Sequence, residues 1–497
     1  MLASWAVEEM EDSDLHDKRL NRRLKKILSD LGDRPTASIP AACGGRSEMV
    51  AAYRFFDNEA VTADPILQPH YRRTMERVAE QKVALLVQDT TELDFTRPKQ
   101  QVKGAGPMDG GARLGAFLHP LMAFTPDGTP LGSVWQKMWT REPAKETKET
   151  ASQKRERRRA TPIEKKESGR WLEGLQKARE AAQRLPGTQV VCVADSEADI
   201  FELFSEPRGE RPVDWLIRSC RNRTLQEGQD AQDETSRCIL DAVAKAPVLF
   251  TKELNVRGRE PKIKCKKGKR DQPRESRTAE VEVRAATLTL RPPPRPDRQL
   301  LEVPVNIVWV RELNPPEGDH PVEWLLATTL PIDTVQDVQA ILQYYTVRFM
   351  IEVFFRVLKS GCRVEERLFE HIDRLLPCVA LYTIVAWRTL MLCRMGRNCP
   401  DLDCEAVFEP SEWQSVWMTV QRQPLPEQPP KLSVMMKLVA QLGGYVNRPN
   451  RKDPPGPQTV WLGLQRMKDL AWAWDIFGPG SGIGRTGDVG PPPPTCV

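Results

Sequence analysis

Histidine is scarce, spaced cysteine pairs are missing, and neither sign of charge dominates this 497-residue chain. The five histidines stand apart at 16, 70, 119, 320 and 371, and none of the 11 cysteines forms a Cys-x-x-Cys pair. Both facts argue against a zinc site. The odd, scattered cysteines fit reduced thiols rather than a disulfide framework. No charged-then-apolar export pattern opens the sequence and no 18-residue apolar run stands out, so the expectation is a cytoplasmic, nucleoid-associated protein with no membrane span. Net charge is only +5, too little for bulk attraction to a polyanion. Basic charge is instead local. Residues 252–278 hold 11 Lys/Arg against 4 Asp/Glu, and Asp17-Lys-Arg-Leu-Asn-Arg-Arg-Leu-Lys-Lys26 places six basic residues on a predicted helix. That helix reads either as a solvated face or as a phosphate-contacting element.

Two short apolar runs, Lys82-Val-Ala-Leu-Leu-Val87 and Val190-Val-Cys-Val-Ala194, have the look of strands buried on both faces. Each is followed by an aspartate, Asp89 and Asp195. Between them, Pro126-Asp-Gly128 predicts a hairpin turn joining strands near 115–124 and 131–135, and residues 168–185 predict a helix. Ser196 and Asp199 suggest a capping box for the next helix. The pattern is an α/β core with acids at the carboxyl ends of strands, where such sheets place their sites. Residues 205–325, rich in Pro, Arg and Lys, read as a mostly β insertion, and Glu323-Trp-Leu-Leu-Ala-Thr-Thr329 returns to the core as a strand. Flanking regions are helical: 1–74 before the core, 371–477 after it, with a Pro-rich tail over 478–497 expected to be disordered.

The densest signal is Tyr345-Tyr-Thr-Val-Arg-Phe-Met-Ile-Glu-Val-Phe-Phe-Arg-Val-Leu-Lys359. On a regular helix, Tyr345, Arg348, Glu352 and Lys359 fall within an arc of about 60°. The remainder is almost wholly apolar, so a buried helix is expected with one polar stripe facing something charged. A parallel pairing of the two buried strands brings Asp89 and Asp195 side by side, and a helix across them adds Glu352. Three carboxylates without nitrogen or sulfur ligands suit Mg²⁺ or Mn²⁺, as one of two ions in phosphodiester chemistry. Taken singly, each acid also has an ordinary explanation: a turn, a helix start, an i,i+4 pair with Arg356.

Gln88-Asp-Thr-Thr91, Val193-Ala-Asp-Ser-Glu-Ala-Asp-Ile200 and the Tyr-x2-Arg-x3-Glu-x6-Lys pattern resemble the bacterial insertion-sequence DDE transposases of the YREK group. Ala52-Tyr-Arg-Phe55, Glu167-Ser-Gly-Arg-Trp171, Asn314-Pro-Pro316 and Leu442-Gly-Gly-Tyr445 extend the likeness over about residues 1–475. The resemblance implies an RNase H-like catalytic core (75–370) with the β-rich insertion, an N-terminal domain binding the transposon end, and a helical C-terminal domain that dimerises. It implies Asp89, Asp195 and Glu352 as the triad holding two Mg²⁺ or Mn²⁺ ions. Tyr345, Arg348 and Lys359 are implied as phosphate contacts, Trp324 as a stacking partner for a flipped base, and Arg218 as a support for hairpin DNA. Arg23 and Arg54 match end-contacting arginines. The implied reaction is cut-and-paste transposition of double-stranded DNA by a synapsed homodimer: cleavage through a hairpin, then joining to target DNA. The alternatives are a catalytically inactive DNA-binding descendant and a nuclease without strand transfer. The stretch 141–166 is longer and more charged than the family pattern, and the end-recognition residues match poorly, so the DNA end bound must differ.

Overall fold

The computed structural model describes residues 2–109, 112–143, 150–209, 212–226, 237–256, 258, 275–296, 298–446 and 454–479. The tail from 480 onward and most of the basic stretch 252–278 lie outside these residues. Five helices open the chain: α1 (Ser4–Glu9), α2 (Lys18–Asp33), α3 (Ile39–Ala42), α4 (Arg46–Phe56) and α5 (Ala63–Ala79). The basic run becomes α2. Asp17 caps it by accepting from the Arg19 backbone N–H. Leu24, Ile27, Leu28 and Leu31 bury one face of α2, so the basic residues occupy the other.

The centre is one 11-stranded sheet. Its first part comprises β1 (Val83–Gln88), β2 (Thr91–Asp94), β3 (Gly106–Pro107), β4 (Leu114–Phe124) and β5 (Pro130–Trp139). The charged segment contains α6 (Ala151–Ala160), and α7 (Arg170–Gln183) leads into β6 (Gln189–Ala194), α8 (Phe201–Phe204) and β7 (Asp214–Ser219). β5 pairs with β4 and β4 with β1, both antiparallel; β1 pairs with β6 and β6 with β7, both parallel. The β4–β5 hairpin turns at 125–129, where Gly128 takes φ +84°. Alternate β1 residues serve opposite layers. Ala84 and Leu86 join a core with α7, while Leu85 and Val87 join the larger core on the other face.

β7 lies within the segment read as insertion, yet it hydrogen-bonds in parallel to β6 and extends the core sheet. Beyond it come α9 (Ile239–Lys245), β8 (Val248–Val256), β9 (Arg277–Leu290), β10 (Val303–Glu312) and β11 (Glu323–Thr328). These strands are antiparallel, and β11 pairs back onto β7, so insertion and core share one continuous sheet. The Ser196/Asp199 capping box does not form. Asp195 caps a single 3₁₀ turn over 196–198, and the buried Asp199 carboxylate accepts from Ser219 Oγ, the Cys220 and Arg221 backbone N–H groups and Arg223.

The 345–359 stretch is not one regular helix. α10 (Val335–Val347) begins at a Thr334 capping box and passes through Arg348 into α11 (Phe349–Arg356). A π-helical turn then spans 357–361, closed by Cys362 N–H donating to Val357 O at 2.8 Å. This wider turn breaks the 3.6-residue period on which Lys359 was placed in the stripe. The chain ends in α12 (Ile372–Asn398), α13 (Pro410–Gln421), α14 (Leu432–Leu442) and α15 (Pro457–Phe477). Contrary to the sequence reading, α12 is long and apolar enough to cross a membrane, but most of it is buried within the protein. α14 and α15 cross closely. A Cβ on Gly463 would sit 1.8 Å from Val439 O, so only glycine fits there. The nine described cysteines are all free.

Candidate active site

The site starts from strand register. Val87 pairs with Val193 in the parallel β1–β6 ladder, so Asp89 and Asp195 leave the sheet at the same level on adjacent strands. Asp89 Oδ1 accepts from the Thr90 backbone N–H at 2.7 Å. Asp195 Oδ1 accepts from the Glu197 N–H at 2.8 Å, which aims its carboxylate along the loop. Burial pushes the Asp89 carboxyl up to about 7 from its usual 3.8, the negative charge of Asp195 adds to the push, and Thr90 and Arg348 oppose it.

Arg348 stands between Asp89 and Glu352. Its guanidinium lies 3.5 Å from Asp89 Oδ2 and 2.5 Å from Glu352 Oε1. The Arg348 side chain is 7% exposed, whereas Glu352 is 54% exposed, so the glutamate is free to change rotamer. Arg348 also sits 4.3 Å over the Phe349 ring, and its Nε is buried with no acceptor.

The rest of the stripe departs from expectation. Tyr345 is buried, edge-on to Trp324 at 5.6 Å and to Phe349 at 6.3 Å. Its ring fills a core position because α10 rotates that face onto β11. Burial raises the Tyr345 phenol above its usual range, partly opposed by Arg348 and Arg218. Arg218 donates from Nη2 to Glu323 O at 3.1 Å, bracing β7 against β11. Lys359 lies 3.7 Å from Glu365. Trp324 is half-buried and lines a cleft of about 750 Å³ between β8 and α10, with Lys252, Gln339 and Gln343 on its walls. Arg23 pairs with Glu48, and Arg54 is exposed on α4. Both belong to the N-terminal helices.

Residues given no role from sequence also surround the aspartates. Arg170, Thr90 and Glu197 form one hydrogen-bonded set beside them. Their signal was the three family-like segments Gln88–Thr91, Glu167–Trp171 and Val193–Ile200, whose spacing does not reveal this role.

A divalent ion is implied by the resemblance. In donor chemistry the residues fit one: carboxylate oxygens only, with a buried acid whose ionisation is suppressed by burial and by its neighbour's charge. Geometry is incomplete. Among the described residues, no three His, Cys, Asp or Glu side chains are grouped closely enough to hold an ion. Here Arg348, a fixed cation, holds Glu352.

A family model for the transposase DNA-binding domain matches residues 2–61, and one for the Tn5 transposase dimerisation domain matches residues 384–472. A solved piggyBac transposase synaptic complex with hairpin DNA aligns over 90% of this chain and 74% of its own, at 9% identity and a TM-score of 0.31, too low to carry an argument. The two family matches support DNA binding and dimer formation. Matched at one end by a transposase DNA-binding model and towards the other by the Tn5 dimerisation model, the chain is similar to Tn5-like transposases in both flanking segments.

Proposed function

We propose that this protein is a cut-and-paste DNA transposase whose catalytic acids are Asp89, Asp195 and Glu352. One observation carries the reading: two aspartates end adjacent parallel strands, and one is pushed up to about 7 by burial and by the other's charge. Such an arrangement is costly unless a cation shares it. The strand order β5-β4-β1-β6-β7, antiparallel then parallel, supports an RNase H-like core. On this reading residues 1–74 bind the transposon end, 75–370 carry catalysis, with the insertion starting after β7, and 371–477 dimerise.

Asp89 and Asp195 would hold Mg²⁺ or Mn²⁺, with Glu352 joining once it leaves Arg348. Bound there, such ions polarise the scissile phosphate and favour ionisation of the attacking water or 3′-hydroxyl. The chain's own groups orient the DNA. Arg348, with a buried unpaired Nε, exchanges Glu352 for a backbone phosphate. Lys359 would add a phosphate contact, and Arg218 would support the hairpin. Trp324, on the wall of its cleft, would offer a ring face on which a base can stack. A nick, a hairpin and joining of the freed 3′ ends to target DNA follow in a paired dimer acting in the nucleoid.

A second reading is a DNA-binding protein descended from a transposase without catalysis. The Arg348–Glu352 pair, and the lack of a ready three-acid group among the described residues, favour it. Incubation of the full chain with its own element's DNA ends and Mg²⁺ or Mn²⁺ separates the two. Nicks and hairpins are expected; end binding with no strand cleavage selects the second reading.

Two variants test the DNA contacts. Arg348→Ala should weaken end binding and flatten its salt dependence by about one phosphate's worth of slope; an unaltered slope means Arg348 touches no phosphate. Trp324→Ala should depress hairpin formation by about tenfold while first nicking is kept, from a stacking loss of about 1–3 kcal/mol. Equal loss of both steps would assign the ring to core packing.

A further inference from the structure

We propose that Arg170 is a positioning residue that sets the relative placement of the two aspartate-bearing strand ends, acting through Thr90 on one side and Glu197 on the other. The proposal rests on the metal-site reading above. Arg170 opens α7, and its side chain is only 12% exposed. Nε donates to Thr90 Oγ1 at 2.7 Å, Nη2 donates to Glu197 Oε2 at 2.7 Å, and Nη1 donates to Glu167 O at 3.0 Å. Thr90 directly follows Asp89. Glu197 lies two residues beyond Asp195, and its backbone N–H donates to the Asp195 carboxylate. One rigid guanidinium fork therefore spans both loops. Lysine, with a single nitrogen, cannot reproduce that span.

The Thr90 end is itself anchored below the sheet. Thr90 Oγ1 lies 2.8 Å from His119 Nδ1, and His119 Nε2 lies 3.1 Å from Gln88 Oε1. Gln88 Nε2 donates to Trp171 O at 3.3 Å, next to Arg170 itself. Directions follow from the ends. Thr90 Oγ1 accepts from Arg170 and donates to His119 Nδ1, which leaves a neutral ring with its proton on Nε2 to donate to Gln88. Gln88 and His119 are fully buried. The loop of contacts closes on α7, which approaches so tightly that a Cβ on Gly174 would lie 2.1 Å from Gln88 Oε1. With three of its donor directions engaged inside the protein, Arg170 is suited to hold loops rather than to bind DNA. The β1–β6 backbone ladder does not depend on it, so its loss should disturb acid placement more than folding.

The test is a Mn²⁺ titration of the full chain, with free Mn²⁺ followed by electron paramagnetic resonance, alongside thermal melts. Arg170→Ala and Thr90→Val should each weaken Mn²⁺ binding by about 10-fold or more, the size expected for partners that orient ligands. Arg170→Lys should fall between them and the parent. Thr90→Val keeps the side-chain shape; it should lower the melting point somewhat, because the buried His119 Nδ1 loses its donor, and it decides the matter if Arg170→Ala does not fold. Unchanged Mn²⁺ affinity in Thr90→Val, or a loss of melting temperature without a loss of affinity, overturns the proposal. Asp89→Asn separates the two levels. If Asp89→Asn abolishes Mn²⁺ binding while the Arg170 and Thr90 variants do not alter it, only the positioning role falls. If Asp89→Asn binds Mn²⁺ like the parent, the metal-site reading falls and this proposal with it.

Discussion

Asp89→Asn is expected to lower cleavage of transposon-end DNA by about a thousandfold or more while end binding is kept. The same variant should melt at a higher temperature than the parent in metal-free buffer at pH 8. The sign follows from linkage. The Asp89 carboxyl is raised from 3.8 to about 7 on folding, so the folded state holds its proton more tightly than the unfolded state does. That group therefore costs stability as pH climbs above about 4, and the cost is complete above about 7. Asparagine keeps the shape and removes the charge. A metal-free melting gain that vanishes at pH 4, together with lost cleavage, would mark Asp89 as an acid held in place for a cation. Unchanged cleavage would remove it from the chemistry, and a pH-independent melting difference would locate its role in packing.

Some of this was legible before any coordinates. The β1 and β6 runs are short, apolar and bounded by polar residues, and each is followed by an aspartate, so the two strands and their acids were legible from pattern, while the parallel pairing that aligns Asp89 with Asp195 is what the structure adds. Pro126-Asp-Gly128 gave the β4–β5 turn for an equally local reason. What escaped the sequence depends on distant partners or on irregular backbone. β7 is a six-residue strand amid prolines and arginines, and only its pairing with β6 and β11 reveals it as core. Asp199 looked like a cap residue; its actual partners at 219–223 lie across the sheet edge. The 345–359 stripe assumed 3.6 residues per turn, and the π turn at 357–361 breaks that period. Tyr345 is polar by type but packs as an aromatic core residue. Arg170 was visible inside a family-like segment, yet nothing in its spacing says that it reaches both Thr90 and Glu197.

Arg77→Met is expected to destabilise the fold by about 3 kcal/mol at pH 7, the lower end of the range for breaking a buried ion pair because Arg77 is partly exposed. Glu9, on α1 within the matched DNA-binding segment, is buried against the core. It accepts from Arg77 Nη1 at 2.9 Å and Nη2 at 3.0 Å, and from His70 Nδ1 at 2.5 Å. His70 Nε2 accepts from the Ser133 backbone N–H at 2.9 Å, so the ring is neutral with its proton facing Glu9. Burial opposes the Glu9 charge, but its His70 and Arg77 partners outweigh it and hold the carboxyl down at about 2. A depressed acid contributes stability above its unfolded value near 4.5 and loses it as pH falls towards 2. Burial likewise keeps His70 below its ordinary range, so protonation of the unfolded chain erodes stability below about pH 6.5. Without Arg77 the buried carboxylate loses a main partner, and the variant's deficit should be largest at pH 7 and smaller at pH 4, where protonation relieves the charge. Chemical denaturation at both pH values measures this, and an equal deficit at each would assign Arg77 to its contact with the Trp387 ring, 4.4 Å away. Because α1, α5, β5 and α12 meet at this cluster, the variant should also expose the N-terminal helices to protease before the sheet unfolds. Release of the whole chain at once would mean that the DNA-binding end and the core fold as a single unit.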